Sequence, residues 1–346
     1  MNWLLHDIQA PDQRFFQQAL DRQAQLTKPP GSLGMLENIA VRLSAMQRRE
    51  FPRIENIQVC VFAADHGVAQ ENVSAFPQAV TVEMVKNFAA GGAAVNVLSR
   101  HVAARFEVID VGLLQPVELS NVISARAGAG TSNFRHVPAM SAEQLSLALN
   151  AGKAAALRAC EQGSDIFIGG EMGIANTASA SALAAALLNI PAARITGAGT
   201  GLNAAQIEHK AAVIGAAILK HQTFLHTPQA ILQHLGGFEI AALTAAYIAA
   251  AQQGLPVLID GFICSVAALL AVKINPACLD WFIFGHHSEE KGHKIVLNAL
   301  KAQPLLDLNL RLGEASGAVA AVPILQMACR LHNEMATFAQ ANITTG

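Results

Sequence analysis

Ile57-Gln58-Val59-Cys60-Val61-Phe62-Ala63-Ala64, closed by Asp65-His66-Gly67, is the stretch whose reading decides the fold. Eight residues, nearly all apolar and ending in a polar, glycine-bearing turn, suit a buried strand better than a helix. The pattern recurs. Residues 106–109 run into Asp110-Val111-Gly112, and 165–168 into Gly169-Gly170-Glu171. Residues 256–259 precede Asp260-Gly261-Phe262, and 281–284 precede Gly285-His286-His287. Between these runs lie Ala/Leu-rich stretches of helical length at 80–98, 142–160, 174–188, 204–220 and 238–253. Strands alternating with helices predict an α/β protein: a doubly wound, mostly parallel sheet with helices on both faces. In such sheets ligands sit beyond the carboxyl ends of the strands, so Asp65, Glu171, Asp260 and His286 are expected on one edge.

Outside that alternation, residues 10–50 and 315–340 read as helices, the first interrupted by Lys28-Pro29-Pro30-Gly31-Ser32-Leu33-Gly34. The expected organisation is a large α/β substrate-binding domain at 51–314 and a small helical domain from 1–50 with 315–346. The 346 residues are 52% hydrophobic and 14% charged, with a net charge of −2. No basic field exists to hold nucleic acid. The Ala-rich runs are too interrupted for a membrane span, and the first residues lack a secretory pattern. The five cysteines form no C-x-x-C pair; they read as reduced thiols of a cytoplasmic protein.

Three segments carry chemistry. Leu312-Gly313-Glu314-Ala315-Ser316-Gly317-Ala318 sets one carboxylate among glycines and small apolar residues, with no cation nearby in sequence. Buried, it becomes a general base with raised pKa; otherwise it opens a helix. Gly169-Gly170-Glu171-Met172-Gly173-Ile174-Ala175-Asn176-Thr177 places a carboxylate among glycines after a strand, which favours a ligand contact over a helix cap. Thr196-Gly197-Ala198-Gly199-Thr200-Gly201 is either an anion-binding turn before a helix, with Lys210 adding charge, or a plain tight turn. His286, Glu290 and His293 would share one face of a helix, but their spacing is not that of an established metal site.

In this order these motifs resemble the nicotinate-nucleotide–dimethylbenzimidazole phosphoribosyltransferase family, together with Ala63-Ala64-Asp65-His66-Gly67-Val68, Gly236-Gly237-Phe238-Glu239-Ile240-Ala241-Ala242 and the glycine-rich segment at 91–96. The likeness runs nearly end to end. It implies transfer of the 5-phosphoribosyl group of nicotinate mononucleotide to a benzimidazole-type base, by a homodimer that needs no metal or cofactor. It implies Glu314 as general base, Gly199, Thr200, Gly201 and Lys210 at the phosphate, and Glu171 toward the ribose. Phe76, Met84 and Met172 are implied to line the slot for the base. Gly173, Asp260, Gly261, Ser288, Gly313 and Asn87 are implied as further substrate contacts. Ala175, Ala178 and Ala198 stand where the family commonly has Gly, Thr and Arg, and Ala315-Ser316 where it commonly has Gly-Thr. A metal-dependent hydrolase using His286, Glu290 and His293, and a binding protein that keeps the fold without turnover, are the alternatives.

Overall fold

The computed structural model describes residues 2–343. Six strands form one sheet: β1 (Ile57–Ala64), β2 (Arg105–Gly112), β3 (Val122–Ser124), β4 (Ile166–Met172), β5 (Val257–Ile259) and β6 (Phe282–Phe284). Their order is β3-β2-β1-β4-β5-β6, and every pairing is parallel. The expected doubly wound α/β sheet is therefore present, with its order reversing between β1 and β4. That reversal opens a crevice at the carboxyl edge, where ligands bind in this architecture. Both central strands are buried along their whole length, as their mainly apolar runs suggest, with Gln58 and Glu171 as the polar exceptions.

Local differences from the sequence reading have physical causes. β4 runs on through Gly169-Gly170-Glu171-Met172, so Glu171 stands on the strand, paired beside Phe62 of β1, rather than in a turn. The stretch 80–98 is two helices, Val80–Ala90 and Ala94–His101, because Gly91 takes a left-handed φ of 78° and ends the first. β3, only three residues long, and the almost entirely apolar helix Phe262–Ile274 carry no periodicity to announce them.

The chain ends meet. Leu26 bridges Thr337, and the Arg22 guanidinium donates to the carbonyls of His332 and Asn333 at the end of the helix Ser316–Glu334. Between the helices Gln13–Gln25 and Met35–Gln47, Lys28 pairs with Glu37 at 2.8 Å. Among the described residues, no helix is long and apolar enough to cross a membrane.

Candidate active site

A cleft of about 600 Å³ opens at the carboxyl edge, at the switch point. Its walls come from the ends of β4, β5 and β6, the loop before the helix Val80–Ala90, the turn at 197–201 and the segment 309–314.

Glu314 sits at the inner end of the cleft. It lies in a turn ahead of the helix Ser316–Glu334, not in that helix's first turn, and three residues in succession have left-handed backbones: Gly313 (φ 87°), Glu314 (63°) and Ala315 (69°). Non-glycine residues in that region cost energy and concentrate at functional sites. Contacts from both sides hold the turn. Ser316 returns its hydroxyl and its amide to the Gly313 carbonyl at 2.6 and 3.0 Å. The Glu314 amide points at Glu171 Oε1, 3.4 Å away. The Glu314 side chain is only 6% exposed, and its Oε2 has no hydrogen-bond partner. Burial, and behind it the negative charge of Asp260, push its carboxyl up to about 7.

The glycines here make room for protein rather than for a ligand. A Cβ on Gly170 would lie 2.7 Å from the Ala315 amide nitrogen and 2.8 Å from the Glu314 carbonyl carbon. One on Gly313 would lie 2.4 Å from Glu171 Oε1. The two motifs are thus pressed together, strand against turn, and each needs the other's glycine. Glu171 is buried, and Asn176 Nδ2 donates to its Oε2. Burial first, then the charges of Glu239 and Asp260, push its carboxyl well above the usual range, against the pull of Asn176.

Asp260 anchors this arrangement. Its Oδ1 accepts from the Ala318 amide at 2.8 Å, tying the helix Ser316–Glu334 to the end of β5. Burial opposes its ionisation, but His286, 3.4 Å away, and the amides of Ala318 and Gly261 outweigh burial and hold the carboxyl below its usual value. His286 is correspondingly raised: burial lowers it, and Asp260 more than offsets that.

The other end of the cleft sets a glycine-bearing turn over a buried cation. Lys210 reaches from the helix Ala204–His221, is 1% exposed, and donates to Thr177 Oγ1 at 2.7 Å. Its ammonium lies directly under Gly199, 3.1 Å from where a Cβ would stand. Burial pushes its pKa down to about 8, against the opposing charge of Glu290. Glu290 lies against Gly197 on the far side of the turn, and burial raises its carboxyl despite Lys210. Thr200 Oγ1 accepts from the Ala75 amide at 3.0 Å and meets Ser74 Oγ at 3.1 Å, which joins the turn to the loop bearing Phe76. Phe76 is half-exposed and, with Met84 and Met172, gives the cleft an apolar wall.

Most residues picked from the sequence therefore meet in one cavity: Phe76, Met84, Glu171, Met172, Gly173, Gly199, Thr200, Asp260, Gly261, Ser288, Gly313 and Glu314 all line it. Lys210 lies beneath its floor. Gly201 is exposed at the turn's outer side, and Asn87 sits at the end of the helix Val80–Ala90, turned toward Gly92; neither lines the cleft. His286, Glu290 and His293 do not share a helix face, since the helix begins only at His293. His293 is occupied at both nitrogens, accepting from the Ser288 amide at 2.8 Å and donating to Ser265 at 2.9 Å. Burial, then His286 and His287, bring its pKa down to about 3, so it is a neutral, fixed ring. Sequence reading missed Asn176 as the Glu171 partner and Thr177 as the Lys210 partner, although both lie in the quoted motif after β4. A groove of about 710 Å³ between the helices Gln13–Gln25 and Met35–Gln47 and β6 is lined mainly by apolar side chains such as Phe16, Leu20 and Phe282, and holds no such cluster of acids.

A family model described as phosphoribosyltransferase matches residues 8–343. The nicotinate-nucleotide–dimethylbenzimidazole phosphoribosyltransferase of Azotobacter vinelandii is 55% identical over 344 residues, covering 99% of this chain and 98% of the relative. The enzyme of the same name from Pseudomonas aeruginosa (strain LESB58) is 54% identical, with the same coverage. The crystal structure of CobT from Thermus thermophilus superposes with a TM-score of 0.92 at 41% identity, covering 96% of this chain and all of that one. The chain belongs to the nicotinate-nucleotide–dimethylbenzimidazole phosphoribosyltransferase family.

Proposed function

We propose that this protein transfers the 5-phosphoribosyl group of nicotinate mononucleotide to 5,6-dimethylbenzimidazole or a related base, giving α-ribazole 5'-phosphate and nicotinate. The observation that carries the reading is Glu314: a buried carboxylate in the cleft wall, its Oε2 without a hydrogen-bond partner, whose pKa of about 7 suits proton transfer at neutral pH. One imidazole nitrogen of the base attacks the ribose carbon, while the proton on the other passes to Glu314. The glycosidic electron pair leaves with nicotinate, whose pyridinium charge is neutralised as the bond breaks. That leaving group is already activated, so the chemistry calls for neither a metal nor an organic cofactor. The ribose becomes cationic on the way, and Glu171 and Asp260 supply negative charge beside it. The phosphate is the remote handle, held by the turn at Gly199-Thr200 with Lys210 beneath, and its binding orients the ribose. Phe76, Met84 and Met172 give the planar base its apolar wall, with Gly173, Gly261, Ser288 and Gly313 as further contacts.

A homodimer, a cytoplasmic location and the division into 51–314 and 1–50 with 315–346 belong to the same reading. Five free cysteines, four of them buried, suit a reducing compartment. Incubating the protein with nicotinate mononucleotide and dimethylbenzimidazole tests the activity. Nicotinate and a riboside phosphate appearing together in equal amounts are expected, and the absence of both refutes it.

A further inference from the structure

Two motifs are left without a task by this reaction: the histidine that follows β1 and the glutamate that opens the helix Phe238–Gln252. The structure joins them. His66 and Glu239 have fully buried side chains, and His66 Nε2 lies 2.8 Å from Glu239 Oε1. On its other side, His66 Nδ1 meets Ser179 Oγ at 3.0 Å, in the helix Asn176–Leu188. One imidazole thus links the end of β1 to the first turns of two helices, one of which, Asn176–Leu188, opens at the cleft wall.

The ring also backs the cleft wall. A Cβ on Gly173 would lie 3.1 Å from both Cδ2 and Nε2 of His66, and one on Gly237 2.3 Å from its Cε1. Gly173 lines the cleft two residues after Glu171. Glu239 Oε2 has no partner. Burying polar groups costs free energy unless each is hydrogen-bonded, so packing alone does not account for this choice of residues.

We propose that His66 and Glu239 are positioning residues for the phosphoribosyl transfer, fixing the 171–173 wall from behind and setting the charge that Glu171 experiences. The inference rests on the reading of Glu171 as the negative group beside the ribose. Glu171 meets the Glu314 amide and the Asn176 side-chain amide, and the charges of Glu239 and Asp260 act on it. His66 is faced by Glu239, Ser179 and, more distantly, Asp65. Glu239 favours the protonated form of Glu171, and a cationic ribose in the cleft favours the ionised form. The buried pair therefore biases when Glu171 gives up its proton.

Glu239→Gln keeps the size and a hydrogen bond to His66 but removes the charge. In protein labelled with ¹³C at the glutamate δ-carbon, the Glu171 signal is the one that Glu171→Gln lacks. Its titration midpoint is expected to fall measurably in Glu239→Gln, because a negative neighbour that favours the protonated form is gone. A merely structural pair would lower the melting temperature and leave the midpoint in place, and an unmoved midpoint overturns the proposal. Should Glu239→Gln fail to fold, the wild type decides. Saturating nicotinate mononucleotide is expected to shift the His66 ring ¹⁵N signals, assigned by their loss in His66→Gln, while those of His332 in the terminal helix stay still. No shift at His66 overturns the proposal. Wild-type turnover is measured separately, so a failed transfer reaction is distinguished from a failed role for this pair.

Discussion

The two ends of the cleft hold opposite charges under opposite rules. At the inner end, Glu314, Glu171 and Asp260 crowd like charges together, so burial and mutual repulsion act in the same direction on Glu171 and Glu314. At the outer end, Lys210 is a buried cation with an oppositely charged neighbour in Glu290, and burial acts against attraction. Glu314 is driven up to about 7 and Lys210 down to about 8, so each charge is held reluctantly at neutral pH. On the proposed reaction, the inner end takes a proton and faces a positive ribose, and the outer end takes a phosphate. The difference teaches where chemistry and grip divide, and substitutions at each end separate them.

The largest effect is expected at the inner end. Glu314→Gln removes the proton acceptor and keeps its volume. We expect kcat to fall by ~10²-fold or more, with KM for nicotinate mononucleotide little changed; wild-type turnover would remove Glu314 from the mechanism. The variant should not be less stable. A carboxyl raised from 4.5 to about 7 in the fold contributes stability that is present below 4.5 and lost as pH rises through about 7. Glu314→Gln escapes that loss, so its stability relative to wild type should improve between pH 5 and pH 8, by up to about 3 kcal/mol. Chemical denaturation at the two pH values measures it.

At the outer end the expected effect is smaller and of another kind. Lys210→Met keeps the buried stem but loses the charge. A hydrogen bond to a charged group contributes about 1.5–3 kcal/mol, so KM for nicotinate mononucleotide should rise roughly 10- to 100-fold, with a lesser change in kcat. A loss confined to kcat would move Lys210 from grip to chemistry. Together the two ends predict a narrow pH profile. Activity rises through about pH 7 as Glu314 ionises and falls above about pH 8 as Lys210 loses its proton. In Lys210→Met the alkaline fall should disappear and the acidic rise remain.

The two ends also differed in how far the sequence disclosed them. The sheet was legible because buried parallel strands are written as apolar runs, and the glycine turn was legible by composition as either an anion-binding turn or a plain tight one. The acid cluster was legible residue by residue, as Glu171 and Glu314, but not as a unit, since 143 positions separate them. What joins them is steric: Gly170 and Gly313 looked like clearance for a ligand, and each is instead filled by the other segment. No local pattern encodes that. Nor does one encode Asp260 holding the Ala318 amide, which is what fixes the turn in place. Gly170→Ala tests the steric account. Its methyl would overlap the Glu314–Ala315 backbone, and overpacking of this kind costs about 1–3 kcal/mol. Activity should fall along with stability, because the displaced atoms carry Glu314, the proposed base. An unaffected kcat would show that the Glu314 turn has more freedom than its contacts imply.

The smallest expected effect compares two alanines that open helices on either side of this contact. Ala175 (φ 76°) precedes the helix Asn176–Leu188, and Ala315 (φ 69°) precedes Ser316–Glu334; both stand in left-handed backbone where glycine is favoured. The strain of an L-residue there is about 1–2 kcal/mol, and glycine returns part of that gain through its greater freedom in the unfolded chain. Ala175→Gly should therefore raise stability by roughly 0.5–1 kcal/mol, a rise in melting temperature of about 1–3 °C. Ala315→Gly relieves the same strain but also removes a methyl packed against Gly170, so its gain should be smaller or absent. If glycine at 315 stabilises more than at 175, the turn bearing Glu314 is strained rather than braced by its neighbours. Its left-handed run is then a distortion stored at the catalytic end of the cleft, not the relaxed shape of a well-packed loop.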